Sequence, residues 1–292
     1  MISGFLCATS GEPDFLCMFW NVENFFEARP HFKDKCNGIA KTFMLAADEF
    51  GGMPDLIGLA EVENRRVVQK LVSRTGLRRA DYGIVHYDSP DHRGIDCALL
   101  YRRSRFRLVF SKPCHLPDST GRPLPTRDIL LAVLVPSDAA PVAILVNHHP
   151  SKVGKGSDGR RELAMARLMA LRDSLLAEGI SRIIAVGDFN DEVVPAPGVT
   201  SAYPAGSGTI KFQGRWEKID GCPVLEGLEA REHIFAPPHL STRDTRFSGT
   251  KPLRTFSGPR YLGGLSDHYP IILELKFVPE NGRKWEQTPE IQ

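Results

Sequence analysis

The sequence predicts a mixed α+β fold, and three observations carry that reading. Apolar runs of strand length dominate the chain: Phe15 to Trp20, Leu56 to Ala60, Ile95 to Tyr101, Ile129 to Val135, Val142 to Val146, Ile183 to Val186 and Ile271 to Phe277. Helical spacing fills some of the gaps between them and not others. The resulting order is strand–helix–strand–helix, several strands, strand–helix–strand, an irregular stretch and a last strand. That order departs from the regular alternation that builds an all-parallel sheet.

In the first gap, Ile39, Phe43, Ala46 and Phe50 fall at i, i+4, i+7 and i+11, on one face of a helix. Ala164, Leu168, Leu171 and Leu175 repeat the spacing, and Gly179 is a fitting helix stop. Residues 192–262 are rich in Pro, Gly, Ser and Thr and read as loops with short strands, a composition common around active sites. The chain thus divides into a tail over 1–14, one folded domain over 15–278 and a polar tail over 279–292.

Composition excludes several classes. A hydrophobic share of 42% with 25% charged residues suits a soluble enzyme with a large core. The 37 Lys and Arg against 35 Asp and Glu leave a net charge of +2, too little to announce a nucleic-acid binder. The stretch Arg74 to Arg107 holds eight arginines, but Asp81, Asp88, Asp91 and Asp96 dilute it, and it reads as a solvated face. No run of ~18 apolar residues is present, so no transmembrane helix is expected. Residues 1–14 lack a basic segment and a long apolar core and do not read as an intact signal peptide. The compartment stays open: cytoplasmic if this start is native, secreted or periplasmic if a signal was removed. Six cysteines, at 7, 17, 36, 97, 114 and 222, form no C-x-x-C pair and read as buried thiols. A monomer is expected.

The chemistry lies where apolar runs end. Trp20 leads into Asn21-Val22-Glu23-Asn24, and Leu59-Ala60 into Glu61-Val62-Glu63-Asn64. Leu145-Val146 lead into Asn147-His148-His149-Pro150-Ser151, and Val186-Gly187 into Asp188-Phe189-Asn190-Asp191. Gly263-Gly264-Leu265 lead into Ser266-Asp267-His268. Taken singly, Asn21, Glu61 and Asp188 are ordinary turn or capping residues, and His148 an ordinary structural histidine. Five such termini on one sheet edge converge in space. Together they offer oxygen ligands for a hard cation, a base for water and donors for a growing negative charge, the inventory that phosphate-ester hydrolysis needs. No G-x-S-x-G elbow, H-E-x-x-H zinc motif or complete phosphate loop is present; Gly154-Lys155-Gly156-Ser157 reads as a flexible loop.

These motifs, in this order from Asn21 to His268, resemble the endonuclease/exonuclease/phosphatase superfamily. The resemblance implies a deoxyribonuclease I-like four-layer α/β/β/α sandwich with the site at one end, and Mg²⁺ or Mn²⁺ as cofactor. It implies Glu61 as principal metal ligand, with Asn21 beside the metal and Asp267 as a further ligand or supporting group. Asp188 and Asn190 match the pair that holds the attacking water and a phosphate oxygen. His268 matches the catalytic histidine, as base or as phosphate donor, and His148, in the Asn147-His148 motif, the second histidine on the phosphate. Asp220, in Trp216-Glu217-Lys218-Ile219-Asp220, resembles the carboxylate that orients the last histidine, although Gly221-Cys222-Pro223 replaces the apolar strand many relatives have next. Arg93-Gly94-Ile95-Asp96, Thr126-Arg127-Asp128 and Leu253-Arg254-Thr255-Phe256 resemble a bacterial branch of the superfamily. Arg93, Asn147 and Arg254 are the candidate substrate contacts.

The leading reading is a metal-dependent phosphoesterase acting on a mono- or diester by direct attack of water. The alternatives are a nuclease on DNA or RNA, and an inactive binding protein on the same fold. Long duplex DNA is not the expected substrate. Aromatics at 203, 212, 216, 235, 247, 256 and 261 are candidates to line a pocket for a compact one.

Overall fold

The computed structural model describes residues 12–278, apart from residues 119, 138 and 153–156. The tail over 279–292, Cys7 and the Gly154–Gly156 stretch lie outside the described residues. In chain order the elements are β1 (Phe15–Phe25), α1 (Phe32–Phe50), β2 (Leu56–Val62), α2 (Arg65–Arg74), β3 (Tyr82–His86), β4 (Asp96–Arg102), β5 (Phe106–Cys114), β6 (Ile129–Pro136), β7 (Val142–His148), α3 (Ser157–Ala177), β8 (Arg182–Asp188), β9 (Val199–Ser201), β10 (Ile210–Phe212), β11 (Arg215–Glu217), β12 (Asp220–Glu226), β13 (Leu228–Ile234), β14 (Ser241–Arg243), β15 (Thr250–Pro252), β16 (Phe256–Ser257), β17 (Arg260–Tyr261) and β18 (Ile271–Phe277).

Two sheets face each other. One has the order β3-β4-β2-β1-β18-β13-β9, the other β12-β8-β7-β6-β5. Period-2 alternation explains why β1 is apolar on both faces. Met18, Trp20 and Val22 point to a core shared with α1 and α2, containing Ile39, Phe43, Val67 and Leu71. Cys17 and Phe19 point into the core between the sheets, with Leu56, Val146, Ile184 and Leu273. A third core joins the second sheet to Ala164, Leu168, Leu171 and Leu175 of α3. Three cores between four layers are the expected α/β/β/α sandwich, and both anticipated helical faces are buried in it except Phe50, which is half-buried. Gly179, with φ 84°, follows α3 in the left-handed conformation.

The stretch read as loops with short strands holds β9, β12 and β13, which extend both sheets. β12 pairs with β8, and β13 pairs with β18 along its whole length. Charged residues at 226, 229, 231 and 232 mask their apolar pattern in the sequence. The departure at Gly221-Cys222-Pro223 is absorbed by a register shift between Gly221 and Val224, the irregularity a proline without an N–H imposes on a ladder. Cys17, Cys36, Cys97, Cys114 and Cys222 are buried free thiols, as expected. No described helix is long and apolar enough to cross a membrane.

Register places the site. β1 and β2 run parallel, as do β7 and β8, so Asn21, Glu61, His148 and Asp188 all emerge at C-terminal strand ends. β18 is antiparallel to β1, which puts the preceding Ser266–His268 turn at the same edge. β12 begins with Asp220 opposite Asp188.

Candidate active site

The strand ends are bent to present their side chains. Pairing shifts between Asn21 and Phe25 in β1 and between Leu59 and Val62 in β2. Among the described residues, seven non-glycines have left-handed backbone, and four of them, Glu23, Asn24, Glu61 and Asn190, line this one cleft. Such strain collects where function requires it. Gly187 lets β8 approach β7 here, because a Cβ would stand 2.5 Å from the carbonyl oxygen of Asn147. Asn21, Glu61, Arg93, His148, Ser151, Asp188, Asn190, Arg254, Asp267 and His268 share the cleft with Glu23 and Asn24.

The two sheets meet through hydrogen bonds. Asn21 Nδ2 donates to Asp188 Oδ2 at 3.0 Å, and the Asn190 amide donates to Asp188 Oδ1 at 2.9 Å. Asp220 Oδ2 lies 2.8 Å from His268 Nδ1, which directs His268 Nε2 toward the cleft, 3.9 Å from Asp188 Oδ2. His148 Nε2 lies 3.6 Å from Asp188 Oδ2 and 4.0 Å from Glu61 Oε1. Trp20 Nε1 donates to the His268 carbonyl at 2.9 Å, and Ser266 Oγ donates to the Asn21 carbonyl at 2.6 Å while accepting the His268 N–H at 3.0 Å. With both roles taken, Ser266 is a brace and not a nucleophile.

Burial drives the site's acids and bases apart. Asp188 is pushed up to about 7, first by burial and then by the Asp220 carboxylate. Burial opposes the charge on His268, but Asp220 on Nδ1, with Asp188 and Asp267, outweighs it and holds the imidazolium well above its usual range. His148 falls well below that range through burial and the nearby Arg127 and Arg93. Within the cleft the two histidines are thus pushed in opposite directions, His268 toward the cation and His148 toward the neutral ring.

Carboxylates cluster on the other wall. Arg254 donates to Glu23 Oε1 from Nε at 3.0 Å and Nη2 at 2.8 Å, and Nη2 lies 3.0 Å from Asp267 Oδ2. Beneath them the buried Lys35 Nζ donates to the Glu23 carbonyl at 2.5 Å and to Thr255 Oγ1 at 2.7 Å. Burial pulls Lys35 down to about 8, although Glu23, Glu61 and Asp267 favour its charge. Glu61 Oε2 accepts the Asn24 N–H at 2.8 Å, while Oε1 faces the cleft. Asn21, Glu61, Asp188 and Asp267 are the oxygen donors a hard cation takes. Two His and Asp groups are also close enough to suit a divalent ion: Asp188, Asp220 and His268, and His86, Asp88 and Asp96. In the first, the 2.8 Å contact of Asp220 with His268 already uses one carboxylate oxygen. In the second, His86 and Asp96 form a buried 3.2 Å pair while Asp88 is exposed.

Not every expected residue reaches the cleft. Asn147 is fully buried; its Nδ2 donates to the Leu145 and Val186 carbonyls at 2.9 and 3.3 Å. It holds β7 against β8 instead of lining the cleft. Asp220 is buried behind His268. Arg254 is in place but engaged by two carboxylates. His149 packs edge-on to Phe189 at 4.8 Å, and burial with Arg127 and Arg161 pulls it down to about 3, a structural histidine as read from the sequence. Sequence reasoning missed Glu23 and Lys35. The signal for Glu23 is a charged residue two places after Asn21 in an otherwise apolar strand; Lys35 had none.

Of the candidate aromatics, Phe256 alone lines a cleft beside the site. That cleft shares Glu23, Asn24 and Arg254 with the first and adds Arg29, Thr255, Phe256 and Gly258. Arg29 lies over the Phe256 ring at 5.8 Å, and Tyr261 behind it stacks on His31 at 3.9 Å. Phe235 is core, Trp216 stacks on Tyr269, and Tyr203 donates to Glu232 at 2.9 Å.

Comparison with known proteins agrees with this architecture. The sequence profile of the Endonuclease/Exonuclease/phosphatase family matches residues 22–197 and 197–277. The chain belongs to that family, whose general chemistry is metal-dependent phosphoester hydrolysis. No curated protein sequence matches it. Among solved structures, it resembles an endonuclease/exonuclease/phosphatase family protein of Bacteroides thetaiotaomicron at 14% identity and a TM-score of 0.61, covering 91% of this chain and 98% of that one. A mannosyl-6-phosphatase of the same organism shares 15% identity and a TM-score of 0.60, over 90% of this chain and 100% of that one. Zebrafish (D. rerio) TDP2, complexed with a single-strand DNA product, shares 14% identity and a TM-score of 0.56, over 90% and 98%. At these identities the likeness shows the fold.

Proposed function

We propose that the chain hydrolyses a compact phosphate ester with water, without a covalent intermediate. The observation that carries the reading is one cleft in which Asp188 Oδ2 lies 3.6 Å from His148 Nε2 and 3.9 Å from His268 Nε2, with Asp220 on His268 Nδ1 at 2.8 Å, and in which burial raises Asp188 to about 7 and lowers His148 while the carboxylates raise His268. Groups pushed apart in this way mark an acid and a base. Asp188, with Asn190, orients and deprotonates the attacking water. His268, braced by Asp220, donates Nε2–H to the phosphoryl group as charge grows on it, and neutral His148 and Arg93 bind its other oxygens. Glu61, Asn21 and Asp267 would hold Mg²⁺ or Mn²⁺, which when bound polarises a phosphoryl oxygen. The buried thiols are no alternative nucleophile; burial drives them up, Cys36 to about 12 and Cys114 to about 11.

The leaving group extends into the adjoining cleft between Arg29 and Phe256. A near-neutral chain in which part of the basic stretch is paired with carboxylates, as in Arg103–Asp81 at 2.8 Å and Arg102–Asp55 at 3.3 Å, does not favour duplex DNA. Turnover of sugar phosphates and small diesters, with plasmid DNA at ~50 and ~200 mM salt, tests this, because multi-phosphate contacts lose orders of magnitude in affinity over that span. Salt-sensitive plasmid cleavage with small esters untouched overturns the reading in favour of a nuclease.

A further inference from the structure

Arg127 belongs to no role assigned so far. Its side chain is 6% exposed and stands behind the cleft, not in it. Its guanidinium forks. Nη1 donates to Asp91 Oδ2 at 3.0 Å, and Nη2 donates to the His149 carbonyl at 2.5 Å. Each branch ends one step from a residue that lines the cleft.

On one branch, Asp91 Oδ1 accepts the Arg93 N–H at 2.9 Å and lies 3.5 Å from Arg93 Nε. Asp91 is itself buried, and its carbonyl accepts the Gly94 N–H at 2.9 Å, closing the turn that carries Arg93. On the other, the same His149 carbonyl accepts Asn190 Nδ2 at 2.9 Å, and the His149 N–H donates to the Asp188 carbonyl at 2.8 Å. Asn190 is strained, with φ 50°, so its orientation needs external support.

We propose that Arg127 is a positioning residue that fixes Arg93 and Asn190 relative to each other, joining the phosphate-binding loop to the water-holding pair through one guanidinium. The inference rests on the phosphoesterase reading above. Arginine suits the role because its rigid fork serves two acceptors in one plane, whereas an ammonium is a point charge. Misplacement by about 1 Å far from the chemistry costs about 10²-fold in rate, so the clamp has leverage without touching substrate.

The two branches predict different kinetic signatures. Asp91→Asn weakens the Arg93 side and the Arg127 Nη1 contact, and leaves Arg127 Nη2 on the His149 carbonyl. It should raise KM about tenfold for a small phosphate ester and leave kcat within about twofold, the loss of uniform binding. Arg127→Met loosens both, so kcat should fall about 10–100-fold while KM rises. Arg127→Lys should recover part of kcat, and added guanidinium should partly restore Arg127→Met. Thermal unfolding separates these effects from loss of folded protein. The proposal is overturned if Arg127→Met lowers activity only in proportion to the unfolded fraction, or if Asp91→Asn lowers kcat and spares KM. A crystal structure of Arg127→Met gives a readout independent of activity: an unmoved Asn190 side chain and Arg93 turn also overturn it. A wild-type chain that turns over no phosphoester refutes the phosphoesterase reading instead, and that structure still decides whether Arg127 holds the two elements in place.

Discussion

Replacing Asp220 by Asn keeps the shape of the Asp220–His268 contact and removes its charge. Asp220 Oδ2 and His268 Nδ1 are 2.8 Å apart, with Asp220 1% and His268 8% exposed, so water cannot substitute for the lost carboxylate. Burial already disfavours the imidazolium; without Asp220 only Asp188 and Asp267 remain to favour it. The proton affinity of His268 should fall, and the alkaline limb of the rate profile should move to lower pH. An acid–base group contributes about 10²–10⁴ in rate, or ~2.7–5.5 kcal/mol at 1.36 kcal/mol per factor of ten. His268→Ala should cost as much, and the double variant little more than the worse single one, because the pair acts as a unit. Stability should follow with a definite sign. A histidine whose folded proton affinity is raised stabilises the fold at low pH, and that contribution is lost as pH rises through the folded value. Asp220→Asn should therefore destabilise more at pH ~6 than at pH ~10. The assays are kcat/KM against pH and thermal unfolding at both ends. Additive losses in the double variant, or an unmoved alkaline limb, would refute the coupling.

Glu61→Gln should fold normally and lose most Mg²⁺-stimulated activity; full activity of this variant with chelator present would exclude Glu61 as the metal-holding carboxylate. Asp188→Asn should abolish turnover yet raise the unfolding temperature of the metal-free protein at pH ~8, because a carboxyl pushed up to about 7 destabilises the fold once ionised; an unchanged or lower unfolding temperature counts against that account. Single-turnover hydrolysis in ¹⁸O-labelled water should place label in the phosphate, and an isolated phosphoenzyme would contradict direct attack. Trp20→Phe should cost about 1–3 kcal/mol by orphaning the buried His268 carbonyl. A cost near zero would mean that this carbonyl finds another donor.

Much of this was legible in the sequence, for physical reasons that differ by element. β1, β7 and β8 are buried on both faces, so their apolar runs stand out. β5 is only partly buried along most of its length and gives no such run. β13 alternates buried and exposed residues along most of its length, with Glu229 and Arg231 on the wet face, so it looked like loop. The polar groups at strand ends were visible because five termini carry the same carboxylate, asparagine and histidine chemistry, each of them ordinary alone. What no spacing rule revealed is how they are shared: that Arg254 bridges Glu23 and Asp267, that Lys35 sits beneath them, and that Asn147 faces inward. Those pairings are set by three-dimensional placement, several of them between residues far apart in the chain, such as Arg254 with Glu23 and Lys35 with Thr255.

The bond from Asn21 to Asp188 spans 167 positions and crosses from one sheet to the other, and Asp220 and His268 likewise come from opposite sheets. Neither half of the sandwich owns a working site. On the proposed function, a partly folded chain with either sheet formed but the two undocked would be inert, and hydrolysis would begin only when folding is complete. The proposed activity would then be an all-or-none report on docking, which urea should silence at the concentration where the inter-sheet core around Phe19 and Val146 comes apart.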